Sequence, residues 1–183
     1  MIAPDPPNDE LGDLELIARW KGGDQRAATV LVARHAASLS RFAASFGEHE
    51  EVDELVQDTF VRAFASIDGF RGESSFRTWL FTIERRLLLD RRRAEKRRGM
   101  RMEVREDSAV TEFDALDDMV ADESARKVRA ALAGLTPTQR EVFLLRVEGL
   151  AYKEIATTVG TTEGAARVHY HNAVRAIKEQ LDA

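Results

Sequence analysis

No cysteine occurs in the 183 residues. Its absence excludes disulfides, zinc–thiolate centres and thiol redox sensing by this chain, and fits a reducing cytoplasm. Proline is nearly confined to one end: three of the four lie within residues 1–8, which read as a disordered tail. No run of about 18 apolar residues exists, so no membrane insertion is expected. The opening MIAPDPPNDE lacks the basic and apolar regions of a secretion signal. No glycine-rich phosphate loop and no nucleophile–base pattern appears, and no cofactor is implied. Net charge is −5, so bulk charge gives no hint of nucleic acid. The two signs are segregated along the chain, however, and a phosphate meets local charge.

Leucine, alanine, arginine and glutamate abound, and glycine is scarce inside the periodic segments. The composition favours helix. The expected fold is all-α: two small helical domains, residues 9–99 and 124–183, joined by an acidic flexible linker, 100–123, with a helix-turn-helix in the second domain. Residues 9–22 read as a short helix with Leu14, Ile17 and Ala18, stopped by Gly22-Gly23. Asp24 can cap a helix over roughly 25–46, with Ala28, Leu31, Leu39, Phe42 and Phe46 inward and Gly47 at its end. The next helix turns Val52, Leu55, Val56, Thr59, Phe60, Ala63, Phe64 and Ile67 inward. Its first turns carry Glu48, Glu50, Glu51, Asp53, Glu54 and Asp58, with no basic residue before Arg62. Acids suit a helix N-terminus, but Asp58 lies too far along for that account. The face therefore fits docking to a basic partner.

Residues 70–98, FRGESSFRTWLFTIERRLLLDRRRAEKRR, organise the first half. Phe76, Trp79, Leu80, Ile83 and Leu87 recur at helical spacing, and Ser74 or Ser75 can cap the helix start. From 85 to 101 nine basic residues stand against two acids, a local net of +7. An aromatic, hydroxyl-bearing loop beside such a stem suits single-stranded nucleic acid, where bases stack on rings and cations follow phosphates. The plainer alternative is a core helix with a solvated basic end. The sign then inverts: residues 102–123 hold nine acids and one base, a net of −8. That stretch reads as an extended tether, or as a polyanion lying in a partner's basic channel.

The last third carries a helix over 125–134 ending at Gly134. A capping box follows, with Thr136 at N-cap, Pro137 at N1 and Gln139 at N3. Its helix turns Val142, Phe143, Leu145 and Val147 inward and stops at Gly149. The remainder reads as a helix-turn-helix, with Ile155 and Val159 inward, Ala156 at a close crossing and Gly160 in the turn. The second helix begins near Thr162 and buries Ala166, Tyr170, Ala173, Ile177 and Leu181. Its outer face presents Thr162, Glu163, Ala165, Arg167, Val168, His169, Asn172 and Arg175, residue types suited to reading a DNA groove.

Two stretches resemble the extracytoplasmic-function (ECF) group of sigma factors of bacterial RNA polymerase. VDELVQDTFVRAFASIDGFRGESSFRTWLFTIERRLLLDRRR is similar to that family's region 2, and LAGLTPTQREVFLLRVEGLAYKEIATTVGTTEGAARVHYHNAVRAIKEQL to its region 4. The resemblance implies a non-enzymatic, cytoplasmic sigma factor. Such a protein binds core RNA polymerase, recognises the −35 and −10 promoter elements and assists melting. It implies that Asp53, Glu54, Leu55, Gln57, Asp58 and Phe60 grip the clamp helices of the largest polymerase subunit. It implies −10 contacts from Phe70, Arg71, Ser74, Ser75, Arg77, Trp79, Arg85, Arg86, Arg91, Arg92 and Arg93, one base being captured outside the stack. The helix from Thr162 would enter the major groove of the −35 element, the acidic linker would thread toward the RNA path, and an anti-sigma factor is a further partner.

The chain also departs from the family pattern. Glu84-Arg85-Arg86 stands where members usually have Ala-Arg-Asn. Ala151 replaces a capping serine or threonine, at a cost of about 1 kcal/mol. Gly164-Ala165-Ala166-Arg167-Val168-His169-Tyr170 replaces Gly-Thr-Val-Lys-Ser-Arg-Leu, so sequence preference should differ. Two rival readings exist. A stand-alone helix-turn-helix regulator leaves the acidic helix, the linker and the aromatic-basic loop unexplained. A metal-dependent hydrolase using His49, Glu50, Glu51, Asp53 and Glu54, or His169 and His171, lacks ligand spacing, since residues two apart point to different sides of a helix.

The linker yields a test. Twenty-two residues at about 3.3 Å each reach ~70 Å, against roughly 60–70 Å for two turns of DNA. Deleting about ten residues from 104–116 should block initiation while sparing core binding by the first domain. In vitro transcription with the shortened chain checks this, and normal transcript at normal spacing would refute it.

Overall fold

The computed structural model describes residues 8–45, 51–102 and 123–181. The expectations for residues 1–7, for Phe46, Gly47, Glu48, His49 and Glu50, and for the acidic stretch 103–122 lie outside the described residues. Asn8, read as part of a disordered tail, instead opens a 3-10 turn and bonds to Asp24 and Arg19. Residues 100–102 and Glu123, read as linker, are helical. Among the described residues every regular element is helical: α1 (Asp13–Lys21), α2 (Gln25–Ala44), α3 (Val52–Ala65), α4 (Phe76–Met102), α5 (Glu123–Ala133), α6 (Pro137–Val147), α7 (Tyr152–Val159) and α8 (Glu163–Leu181). Short 3-10 turns occupy Asn8–Glu10 and Ile67–Gly69. Packing divides the chain into two units, Met1–Leu88 and Leu89–Ala183. The division falls inside α4 at Leu88, the last buried position among that helix's described side chains.

In the first unit α2 packs against α1 and α3. Asp24 caps α2, its Oδ1 accepting from the Arg26 N–H at 2.9 Å. Leu16, Leu31, Leu39, Phe42, Leu55, Phe76, Leu80, Phe81 and Leu88 form the fully enclosed core. Phe42 meets Phe81 edge-on, centroids 5.3 Å apart, which joins α2 to α4. In the second unit α8 is the hub, packing on α5, α6 and α7. The capping box of α6 is formed: Gln139 N–H donates to Thr136 Oγ1 at 3.3 Å and Thr136 N–H to Gln139 Oε1 at 3.2 Å. Arg140 crosses back to α5, donating to the carbonyls of Leu132 and Ala133 at 2.8 Å each. These are two of the acceptors a helix end leaves open.

Two apolar residues expected inward are outside, Val147 at 63 % exposure and Leu181 at 40 %, and Leu14, an apolar position of the first helix, is 64 % exposed. In α1 the inward face runs through Leu16 and Ile17, together with Asp13, leaving Leu14 about 100° away. In α6 the inward positions include Glu141, with Glu148 just beyond its end, both buried, so Val147 points away. Leu181 is in the last described turn. Ala18 is exposed as well. Polar groups hold places that an apolar count assigns to apolar residues.

Asp13 shows why a polar residue can face inward. Its Oδ2 accepts from Nε2 of the buried His35 at 2.8 Å, and its Oδ1 from Arg34 Nη1 at 2.7 Å. Burial pushes the Asp13 carboxyl up, but hydrogen bonds and attraction from His35 and Arg34 more than offset this and hold it below the usual carboxylate range. A carboxyl lowered on folding contributes stability that is present above its unfolded value of about 3.9. That contribution is lost as pH falls through the lower folded value. Both tryptophans, Trp20 and Trp79, belong to the first unit, so their fluorescence reports on it alone. Asp13→Asn should destabilise this unit by about 1 kcal/mol in urea at pH 7. The gap between variant and parent should shrink as pH is lowered toward 3; a gap independent of pH would contradict the role of the Asp13 charge.

Candidate functional site

Three exposed surfaces carry the residues singled out from the sequence. The first is the loop 70–75 with the head of α4. The Ile67–Gly69 turn delivers Phe70 in an extended conformation (φ −77°, ψ 105°). Gly72 turns the chain at φ +71°, a conformation that costs a residue with a Cβ. Ser75 then caps α4: its Oγ accepts from the Thr78 N–H at 3.1 Å and lies 2.7 Å from Thr78 Oγ1. Phe76, 2 % exposed, anchors the group. Its ring meets His35 at 5.7 Å, Phe70 at 5.7 Å and Trp79 at 5.9 Å, and Phe70 lies 5.1 Å from Trp79. Phe70 and Trp79 are half-buried, so each retains exposed ring surface beside the polar loop. Arg77 lies with its Cζ 5.7 Å from the Phe81 ring.

In the loop Arg71 and Ser75 are exposed and Ser74 is partly covered; down α4 Arg86 and Arg93 are exposed, while Arg85, Arg91 and Arg92 are partly covered. Arg93 pairs with Asp90 at 3.3 Å, with both side chains well exposed. Such a pair is worth little and does not neutralise the stretch. Glu84, read from the sequence only as a departure from the family pattern, is fully buried. It belongs to the core, one position before the basic run begins.

The second surface is α3. Asp53, Glu54 and Gln57 are exposed and Asp58 is half-buried. Leu55 and Phe60, grouped with them as contacts to the polymerase, are buried at 0 % and 5 % exposure. They hold the helix in its own core and do not form its surface. Val61, 60 % exposed, lies one turn beyond Gln57 on the acidic stripe. The sequence reading missed it, although a valine four residues past a surface glutamine is a legible sign.

The third surface is the start of α8. Thr162 Oγ1 accepts from the Ala165 N–H at 3.1 Å, capping the helix. Thr162, Glu163, Arg167, Val168 and Arg175 are exposed, Ala165, His169 and Asn172 are partly so, and Ala166 and Ala173 turn inward. Arg167 Nη2 pairs with Glu163 Oε1 at 2.6 Å, and its guanidinium lies over Tyr152, 4.6 Å from the ring centroid. Gly160 makes the turn at φ +79°, where a side chain is disfavoured. Ala151 offers no capping side chain, yet its own N–H donates to Glu154 Oε2 at 2.9 Å. One half of the capping exchange is thus kept. Among the described residues no group of three or more histidines and carboxylates gathers as a metal site, and no helix is long and apolar enough to cross a membrane.

Two stretches of the chain match models of known protein families. The model of Sigma-70 region 2 matches residues 31–98 and that of Sigma-70, region 4, matches 125–177. The ECF RNA polymerase sigma-E factor of Salmonella typhimurium is 27 % identical over 184 residues, covering 95 % of this chain and 96 % of that protein. The chain is also similar to two solved structures. One is the sigma factor RpoE in complex with the anti-sigma factor NepR from Bartonella quintana, with TM-score 0.69 and 26 % identity over 83 % of this chain and 94 % of that one. The other is CnrH in complex with the cytosolic domain of CnrY, with TM-score 0.68 and 31 % identity over 93 % and 97 %.

The caps supply a test of the first surface. Ser75→Ala should cost about 1 kcal/mol of first-unit stability in a urea melt followed by tryptophan fluorescence. Ser74→Ala should cost far less, because Ser74 Oγ makes only a 3.3 Å bond to the Ser75 carbonyl. Equal losses would mean that Ser75 is not the cap.

Proposed function

We propose that this chain, which belongs to the ECF group of sigma-70 factors and so directs transcription initiation by bacterial RNA polymerase, divides that task among its three exposed surfaces. The acidic stripe of α3, Asp53, Glu54, Gln57 and Asp58 with Val61 beside it, docks on the clamp helices of the polymerase's largest subunit. Leu55 and Phe60 support that stripe from beneath. The loop and head of α4, Phe70, Arg71, Ser74, Ser75, Arg77 and Trp79, receive the −10 element. Arg85, Arg86, Arg91, Arg92 and Arg93 follow its phosphates. The face of α8 with Thr162, Glu163, Ala165, Arg167, Val168, His169, Asn172 and Arg175 reads the −35 element in the major groove.

The observation that carries this reading is the aromatic trio at the head of the basic helix. A buried ring, Phe76, fixes two partly exposed rings, Phe70 and Trp79, within stacking distance of one another. Preset rings bind a base with little ordering cost, and stacking contributes about 1–3 kcal/mol per base. A base held there is lost to its complementary strand, which favours melting. The stretch of α4 that follows supplies positive charge for the backbone.

The domains follow the same division: the helices up to α4 for polymerase and −10 binding, α5 to α8 for the −35 element, and 103–122 as the joining linker. The chain works in the cytoplasm, where the polymerase is, and has no catalytic activity of its own. One structural relative was solved with an anti-sigma factor, and another with the cytosolic domain of CnrY. That supports an anti-sigma factor as a third class of partner, covering the same surfaces when initiation is to be withheld.

Charge reversal tests the docking surface. Replacing Asp53, Glu54 and Asp58 together by lysine should reduce binding to core polymerase at least tenfold in a pull-down, with helical content by circular dichroism unchanged. Undiminished binding would remove α3 from the interface. The unbound chain, at net −5, should hold promoter duplex only weakly at physiological salt, because its acidic segments repel phosphate. Nanomolar binding of the free chain would favour a stand-alone regulator.

A further inference from the structure

The second unit contains an aromatic path from its core to its reading face. Phe143 of α6 stacks on Tyr170 of α8, centroids 6.0 Å apart and planes at 16°. Tyr170 meets Tyr152, the first residue of α7, edge-on at 6.0 Å and 69°. Two guanidiniums lie against Tyr152: Arg146 at 5.0 Å and Arg167 at 4.6 Å from the ring centroid. Arg146 is itself tied down, Nη1 donating to the Leu150 carbonyl at 2.9 Å. Tyr170 stands where the family pattern has leucine, so the edge-on support of Tyr152 is a feature of this chain.

We propose that Tyr152 is a positioning residue that holds Arg167 for base reading and thereby sets how strictly one base pair of the −35 element is selected. The inference rests on the assignment of α8 to that element. Arg167 is an exposed side chain, and its ion pair with Glu163 leaves both partners about half exposed, 59 % and 47 %. A pair of that kind is weak and screened by salt. It alone cannot confine a long side chain. The Tyr152 face supplies a second point of attachment through cation–π attraction, and a guanidinium fixed at two points presents its planar fork in one orientation. Bidentate donation to guanine O6 and N7 depends on that orientation. Arginine held elsewhere still attracts phosphate, so loss of Tyr152 relaxes selectivity more than it weakens binding.

The test uses holoenzyme assembled from core polymerase and the full chain. Transcription is measured on promoters with one constant −10 element and every single substitution through the −35 element. Arg167→Ala identifies the base pair read by that residue as the one where preference flattens. Tyr152→Leu should flatten preference at that same base pair by five- to tenfold, and Tyr152→Leu with Arg167→Ala should be no flatter than Arg167→Ala. Tyr152→Phe keeps the ring face and should keep the preference. Tyr170→Leu restores the family residue at little change in apolar volume, and should loosen the same preference in part. Uniformly reduced transcript with Tyr152→Leu, joined to unchanged preference with Tyr170→Leu, would overturn the proposal and leave Tyr152 a packing residue. If Arg167→Ala changes no −35 preference, Arg167 reads no base and the positioning role falls; if the parent holoenzyme itself shows no −35 preference while −10 dependence persists, α8 does not read the element and the underlying assignment falls instead.

Discussion

The burial of Phe76 is the contact on which the exposed chemistry of the first unit depends. One ring touches α2 through His35 and the preceding loop through Phe70, and it opens α4. Enclosing a phenylalanine contributes on the order of 2–3 kcal/mol, and truncating one to alanine costs about 3–5 kcal/mol. The geometric consequence is larger than the energetic one. With Phe76 seated and Ser75 capping, the start of α4 has one position. Arg85 and Arg86 then follow on the same helix, between two and three turns beyond Phe76. The Trp79 ring and the first cations of the basic run are thereby carried on one helix.

Charge segregation is the second constraint. A chain at net −5 cannot be drawn to DNA by its overall field, and its acidic segments oppose approach. The same acids on α3 suit a basic protein surface. On the proposed assignment, binding the polymerase and binding the promoter fall to surfaces of opposite charge, and the first masks what hinders the second. A repressor has no use for this arrangement. A subunit that must act only within a larger enzyme does.

Much of this was legible from residues alone. The helix starts were readable because caps are chemically specific: Asp24, Thr136 with Gln139, and Thr162 each place an oxygen where open N–H groups need one. The turn at Gly160 was readable for a similar reason, since its left-handed backbone is strained for residues with a Cβ. The misses share one cause. Asp13, Glu141 and Glu148 face inward, so counting apolar residues missed them and placed Val147 in the core. Glu84 was missed in the same way. Periodicity sees hydrophobicity, whereas a buried carboxylate is held by partners distant in sequence, as Asp13 is by Arg34 and His35. Leu55 and Phe60 were carried over from the family stretch together with their neighbours, and both lie in the helix's own core. The contact of Arg167 with Tyr152 spans two helices, and no local pattern announces it.

The central claim is that this chain gives promoter specificity to an enzyme that lacks it and has little of its own when alone. Mapping transcript start sites on genomic DNA with purified core RNA polymerase, with and without the chain, tests that claim most directly. The account predicts a discrete set of new start sites that appear only when both are present and share −35 and −10 elements at one spacing. The same start sites with core alone, or no new starts with the chain added, would contradict it.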